Sequence, residues 1–173
     1  MPRIIRDATI VEDDWQVADL GEGQSALDIT LPEGLVLFPL NVWLQRREEI
    51  IARNQPIGVW LRSDEAPEAL VGDISRFSVI GIHFPRFTDG RGCSTARLLR
   101  ERHRFVGEIR AIGDVLQDQL FAMRRCGINA FALRADRSLE QALPALKTFS
   151  DSYQAAADEP RPLFRRRLAG EPG

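Results

Sequence analysis

The sequence is poor in the residues that most often mark a chemical site. Its 173 residues include two cysteines, two histidines and a single lysine, Lys147. Two cysteines are too few for a disulfide framework or for an iron–sulfur cluster. The histidines, His83 and His103, do not stand at a spacing typical of metal ligands. We therefore predict no metal site, and we note that arginine carries almost all of the positive charge.

Long apolar segments are also missing. No apolar run approaches the ~20 residues that a membrane-spanning helix needs. The amino-terminal stretch MPRIIRDATIVEDDW is charged where a signal peptide would be apolar. The net charge is only −2, so no overall field favours nucleic acid or an anionic membrane. We expect a cytoplasmic protein that binds neither nucleic acid nor membrane.

The rest of the composition is typical of one folded domain. Apolar residues make up 44% of the chain and charged residues 28%. The stretch RIIRDATIVEDDW predicts a β-hairpin within residues 1–20, which turns at Arg6–Ala8. The final segment combines proline, glycine and charge without a period, and we predict a flexible tail over residues 158–173. The predicted α/β domain is therefore 1–157.

Short β-rich runs alternate with helical patterns along this domain. The predicted strands are Leu35–Phe38, Ile57–Leu61, Val79–Phe84, Gly107–Ile112 and Ala130–Leu133. The predicted helix caps are Asn41, Asp64, Ser94, Asp114 and Ser138, and the helices they start would end at Arg53, Ile74, His103, Cys126 and Tyr153. Repeated βα units at this spacing predict a mainly parallel sheet.

Alternation along the strands favours one of two parallel architectures. The apolar face comprises Val59, Leu61, Ile80, Ile82, Phe84, Ile109, Ala111, Phe131 and Leu133. The opposite face comprises Trp60, Arg62, Gly81, His83, Glu108, Arg110, Ala132 and Arg134. A doubly wound sheet is apolar on both faces, whereas a half-barrel has helices outside and a polar inner face. We predict half of a TIM-like barrel, with a doubly wound sheet as the alternative.

The segment FTDGRGCST follows the third of these strands and is the strongest candidate site. Gly90 and Gly92 permit tight backbone geometry. The amides that begin the next helix, with Arg91 and Ser94, suit a phosphate or sulfur oxyanion. The alternative is an ordinary turn in which Asp89 bonds its own loop. The segment matches neither nucleotide-binding glycine motif, so no nucleotide is implied.

The segment GEIRAIGD is the second candidate. Glu108 and Arg110 are two residues apart and so lie on one face of a strand, where a neighbouring strand would bring His83 beside them. They predict either an anion-binding arginine with its carboxylate partner or a structural ion pair, and we favour the ion pair. Asp114 is interpreted as a helix cap that lies on the same edge as Asp89.

The two cysteines lie in neighbouring predicted helices. Cys93 is near a helix amino terminus, where a thiolate is stabilised. Cys126 is predicted at the far end of the next helix, ~18 Å along its axis. A disulfide requires Cα atoms within ~7 Å. We therefore expect two unconnected thiols.

Two long segments, FPRFTDGRGCSTARLLRERH and GEIRAIGDVLQDQLFAMRRCGINAF, carry a resemblance to a known family. They resemble the bacterial domain-of-unknown-function family 934, which carries the label of an oxidoreductase involved in sulfite reduction. The resemblance lies in the motifs DGRG, STARLLR, GEIRA, GDVL, DQL and RCG. The family usually has tyrosine at the position of Cys93, which implies that its common function needs no thiol there.

The resemblance implies an accessory protein that acts with sulfite reductase in assimilatory sulfite reduction. The alternative is a small enzyme that binds an anionic substrate at the carboxyl edge of the sheet. No cofactor is predicted, because no flavin, nicotinamide, siroheme or iron–sulfur pattern is found. The open polar face predicts a homodimer or a tight partner contact. The candidate site residues are Asp89, Gly90, Arg91, Gly92, Ser94, Glu108, Arg110 and Asp114, and none has an assigned catalytic role.

Overall fold

One eight-stranded sheet organises the structure, a computed structural model that describes residues 2–21, 23–147, 155–162 and 165–166. The strands are β1 (Arg3–Arg6), β2 (Thr9–Glu12), β3 (Trp15–Val17), β4 (Leu35–Pro39), β5 (Ile57–Leu61), β6 (Phe77–Phe84), β7 (Glu108–Gly113) and β8 (Ala130–Phe131). The α-helices are α1 (Leu40–Ala52), α2 (Arg91–Glu101), α3 (Leu120–Arg125) and α4 (Leu139–Ala142). Segments of 3₁₀ helix span Pro67–Arg76, Gln117–Gln119 and Leu143–Lys147.

The strand order is β2-β1-β8-β7-β6-β5-β4-β3. Strands β3 to β8 are parallel and follow chain order, whereas β1 is antiparallel to both β2 and β8. This confirms the mainly parallel sheet and the amino-terminal hairpin, whose turn residues Asp7 and Ala8 have φ values of 48° and 60°. A doubly wound sheet reverses its strand order at a switch point, and this sheet does not.

The sheet is strongly curled, because its two edges are joined by a very short link. Strands β2 and β3 lie at opposite edges, yet only Asp13 and Asp14 connect them. Three Cα–Cα steps span at most ~11 Å. A flat sheet of eight strands would place its edges ~34 Å apart at about 4.8 Å per spacing. The sheet therefore curls like part of a barrel, and Asp13 crosses its concave side.

The two sheet faces have the predicted register. The main core contains the apolar strand set, as in Ile80 and Ile109, together with buried side chains of α1, α2 and α3. The concave face contains a second apolar cluster made of Leu37, Trp60, Val79 and Ile112. This face is therefore more apolar than the sequence predicts, because Leu37, Val79 and Ile112 lie within predicted strands but are absent from the predicted inner face.

Most of the described helices begin without a side-chain cap, so several predicted caps are wrong. Helix α1 follows Pro39, and Asn41 lies within its first turn. The 3₁₀ segment after β5 begins with Pro67, so Asp64 does not cap it. Proline at a first helical position has a preset φ and needs no donor, which explains the start at Pro67, whereas Pro39 is the extended cap residue before α1. Ser138 is a cap as predicted, because its Oγ accepts the backbone N–H three residues on at 3.2 Å.

The carboxyl-terminal predictions are covered only in part. The described helical turns after Ser138 end at Lys147, and the predicted continuation to Tyr153 lies outside the described residues. Within the predicted tail, Asp158 accepts a hydrogen bond from Arg125 Nη1 at 2.7 Å. The flexibility of residues 158–173 stays a prediction.

Candidate functional site

A cavity of about 830 Å³ opens at the edge where the parallel strands end. We call it the mouth cavity. Residues at the ends of β3, β5, β6 and β7 and in the segments that follow β3, β5, β6 and β8 form its walls. The polar lining residues are Asp19, Arg62, Ser63, Asp64, His83, Arg91 and Arg134. Parallel α/β sheets bind their ligands at this edge, because the loops after the strands converge there.

Arg91 is held in place at the cavity wall by its own loop. Its Nε and Nη2 donate to the two carboxylate oxygens of Asp89 at 2.9 and 2.7 Å, and Nη2 also donates to Ser63 Oγ at 3.0 Å. The Arg91 guanidinium, with help from Ser63, holds the pKa of Asp89 well below its usual range. Asp89 therefore stays ionised and orients the arginine, which joins the loops after β5 and β6.

Arg134 is held in a similar way on the opposite wall. Its Nε donates to Asp136 at 2.6 Å and its Nη1 donates to Asp114 Oδ1 at 2.9 Å. The Asp136 carboxylate, and then Asp114, raises the pKa of Arg134. Asp114 Oδ2 also accepts the backbone N–H of Phe87 at 3.0 Å, so it bridges the loops after β6 and β7. Asp89 and Asp114 thus share one edge, as the sequence predicts.

Asp114 is not the helix cap that the sequence predicts. The helical segment after β7 begins only at Gln117, with Leu116 in the cap position and Gln119 Oε1 accepting the Leu116 N–H at 3.3 Å. The carboxylate of Asp114 is engaged instead by groups that are distant in sequence. A local pattern could not indicate this, because Arg134 is twenty residues further along the chain.

Arg62, Asp64 and His83 line the cavity without a side-chain hydrogen bond or ion pair to any other described residue, and Asp64 acts on Arg91 only through its charge. Arg62 is exposed just beyond β5. The His83 ring lies against Trp60, with 5.7 Å between ring centroids and 52° between planes. Gly113, at φ +95°, passes so close that an added Cβ would lie 2.9 Å from His83 Cδ2. The imidazole is therefore positioned by packing, and its nitrogens are left for a ligand.

Glu108 and Arg110 lie deeper, on the concave face, and do not line the mouth cavity. Arg110 is only 1% exposed. Its Nε donates to Glu108 at 2.6 Å, and its Nη1 donates to both oxygens of Asp13 at 2.8 and 2.9 Å. This arrangement is the structural ion pair that the sequence favours, extended by a carboxylate from the link between the sheet edges.

The remaining predicted residues belong to the start of α2. This helix begins at Arg91 with Gly90 as its cap residue, so Ser94 does not cap it and is exposed. Gly92 packs against Phe84, because an added Cβ would lie 2.6 Å from Phe84 Cζ. Only Arg91 from the predicted anion loop lines the cavity, while Asp89 supports it.

The two cysteines are neighbours, which corrects the separation expected from the sequence. The Cys93 thiol hydrogen-bonds to the Cys126 sulfur, and both residues are half-buried. The expected distance assumed one long helix, whereas α3 spans only Leu120–Arg125. The chain after it returns along α2, where Arg100 Nε donates to the Gly127 carbonyl at 2.9 Å.

Sequence reasoning placed Arg62, His83 and Arg134 on the inner face but did not gather them into the site. Each stands at the last polar position of its strand pattern, where the alternation passes into a loop. This position at the end of a strand is the sequence feature that could have indicated a site residue. Their convergence depends on the pairing of β5 with β6 and of β7 with β8, which a single strand cannot specify.

Most of the residues that line the mouth cavity lie in a segment that matches a known sequence family. The profile of a family described as bacterial protein of unknown function (DUF934) matches residues 58–164. The chain belongs to this family. The DUF934 match includes Arg62, His83, Arg91 and Arg134, whereas Asp19 precedes it. A search of curated proteins and a search of solved structures each gave no significant match.

Membrane spans and metal clusters are not found in the described part of the chain. No helix there combines the length and apolar character needed to cross a bilayer. No three His, Cys, Asp or Glu side chains of those residues come together in a way that could hold a metal ion.

Proposed function

We propose that the mouth cavity binds an anionic substrate that carries a phosphate or sulfur-oxyanion group. The observation that carries this proposal is the convergence of Arg62, Arg91 and Arg134 on one cavity that also contains His83. Guanidinium groups bind such anions through paired N–H donors, which makes arginine the side chain best suited to them.

The three arginines have different parts in this proposal. Arg91 and Arg134 are already paired with carboxylates, so they orient the ligand and add little net charge. Arg62 has no such partner among the described residues, so its N–H donors are left for the anion. The lining also contains Asp19 and Asp64, so the anion is held by directed hydrogen bonds and not by a net positive charge. His83 is the candidate proton donor or acceptor, because imidazole changes its charge near neutral pH and general acids and bases work best there.

The resemblance to a family linked with sulfite reduction favours a sulfur oxyanion as the anionic group. The curled sheet supports a likeness to half of a TIM barrel, in which catalytic groups stand at the ends of several strands. An anion-binding enzyme of this kind would act in the cytoplasm, where assimilatory sulfite reduction takes place.

The direct test is calorimetric titration of the protein with sulfite, sulfate and phosphate. Arg62→Gln should weaken anion binding by ~10- to 100-fold, because a hydrogen bond to a charged group is worth about 1.5–3 kcal/mol. Arg102→Gln is the matched control, since Arg102 is an exposed arginine at the end of α2, away from the cavity. Equal affinities for the two variants, or no anion binding by the unaltered protein, would contradict the proposal.

A second candidate function is the accessory role beside sulfite reductase. The exposed apolar side chain of Phe87, 56% exposed in the loop that Asp114 anchors, favours it. Such a side chain beside the mouth suits a protein contact. Purified sulfite reductase should then co-elute with the protein in size-exclusion chromatography, and Phe87→Asp should abolish the shared peak. Separate elution of the two unaltered proteins at micromolar concentration would exclude a stable complex.

A further inference from the structure

We infer that the natural ligand of the mouth cavity is an organic anion, with a flat apolar body and one terminal anionic group, rather than a free inorganic oxyanion. This inference rests on the proposed function and adds the class of ligand. It follows from the size of the cavity, from the separation of its apolar and charged linings, and from the distance between them.

The cavity is too large for a bare oxyanion. Its volume of about 830 Å³ equals that of roughly 28 water molecules at ~30 Å³ each. Sulfite, sulfate and phosphate have only a handful of non-hydrogen atoms and would leave most of this space to water. Cavities of roughly 300–1,000 Å³ hold organic ligands, which bury most of their surface there.

The floor of the cavity is apolar. Trp60 and Ile112 belong to the concave-face cluster, and Ala132 packs against it. The indole Nε1 of Trp60 donates to the Ala18 carbonyl at 2.8 Å, so its one polar atom is already satisfied. What this floor offers a ligand is aromatic and aliphatic surface, which favours a flat apolar group.

Two arginines stand at the border of this floor. Arg62 lies two residues beyond the floor residue Trp60, and Arg134 lies two residues beyond the floor residue Ala132, in segments that β6 and β7 separate in the sheet. Two residues of extended chain correspond to ~6–7 Å. That distance is close to the length of a one- or two-ring aromatic body, with its anionic group reaching Arg62. His83 pairs in register with the floor residue Ile112 and contacts Trp60, so its ring borders the apolar floor.

The test compares three probes by calorimetry: naphthalene-1-sulfonate, inorganic sulfate and 1-naphthol. We expect the sulfonate to bind at least ~10-fold more tightly than either of the others. It alone can contact the apolar floor with its rings and also pair its anionic group with Arg62. Arg62→Gln should weaken the sulfonate and sulfate and leave 1-naphthol unchanged.

Ala132→Leu places a larger side chain in the space above the apolar floor. The naphthalene sulfonate should then bind no more tightly than sulfate, while the affinity for sulfate should change by less than ~2-fold. Ala69→Leu, an exposed alanine outside the cavity, is the matched control. If circular dichroism shows that Ala132→Leu is unfolded, Val17→Ser reduces the apolar lining of the cavity without adding charge, and it should be tolerated because Val17 is already 47% exposed.

The outcomes separate the two proposals. Binding of sulfate through Arg62 with no gain for the sulfonate would overturn the organic-anion inference and leave the proposed function intact. Binding of 1-naphthol as tightly as the sulfonate would also overturn the inference, because the anionic group would then contribute nothing. Failure of every anion to bind would overturn both.

Discussion

Contact with one neighbouring side chain shifts the pKa of several residues in this fold. The pair of Cys93 and Cys126 is the clearest example. The hydrogen bond from Cys93, followed by the charges of Arg97 and Arg125, lowers the pKa of Cys126 to about 7. The same contact, followed by burial, raises the pKa of Cys93. One thiol is therefore poised to ionise near neutral pH while its neighbour stays protonated as the donor.

This difference predicts the pH dependence of alkylation. Because a lowered pKa means that the thiolate persists to lower pH, the rate of Cys126 alkylation by iodoacetamide should rise with a midpoint near pH 7. Cys93→Ala removes the donor and should move that midpoint upward toward the ordinary thiol range. Cys93→Ser keeps a hydroxyl donor and is the matched control. Residue-resolved mass spectrometry from pH 5 to 10 measures the rates, and an unchanged midpoint in Cys93→Ala would contradict the assignment.

At the scale of elements, the link of Asp13 and Asp14 determines how the sheet closes. Asp13 reaches Arg110 from 97 residues earlier in the chain. Arg110 and Asp13 are 1% and 9% exposed in their side chains. A charge buried so deeply must keep its partner, because removing one member leaves the other desolvated without compensation.

Asp13→Ala should therefore lower the free energy of unfolding by ~3–5 kcal/mol, the usual loss when a buried ion pair is broken. Asp14→Ala should change it by less than about 0.5 kcal/mol, because Asp14 is exposed and surface substitutions have small effects. Urea unfolding followed by circular dichroism measures both. Equal stabilities of the two variants would show that Asp13 does not support Arg110.

Local sequence patterns predicted most of the strands well, but they did not predict which side chains contact each other between elements. Strand Ile57–Leu61 has its predicted bounds, and alternation placed Ile80 and Arg110 on the correct faces. Strand β3 was missed, because three residues are too short to show a period. The partners of Arg110 and Asp114 were missed for another reason: each is fixed by the curl and pairing of the whole sheet.

At the scale of the whole molecule, the open polar face predicted from the sequence is largely satisfied within one chain. Asp13 and Glu108 neutralise Arg110, and Arg6 lies 3.6 Å from Glu108. The need to cover this face with a second subunit is correspondingly smaller. The mouth remains the part of the concave side that is left for a ligand or a partner.

The homodimer stays a prediction, and light scattering at micromolar concentration tests it. A dimer that forms through the mouth should dissociate when Phe87→Asp places a charge beside the cavity. Val106→Asp is the matched control, because Val106 is an exposed apolar residue between α2 and β7, at the opposite end of these elements. A monomeric mass for the unaltered protein would exclude the dimer under those conditions.

The pairing of β1 with β8 also bears on the order in which the chain is made. Strand β1 precedes the other described strands in the chain, yet its partner Phe131 lies in the last of them. Ile4 and Ile5, which are buried in the finished fold, have no sheet to join before that strand is made. The hairpin therefore cannot dock until β8 has been made, and docking it is a long-range step of the slow kind. A nascent chain that stops before Ala130 would carry an unpaired apolar hairpin, a target for chaperones or for aggregation.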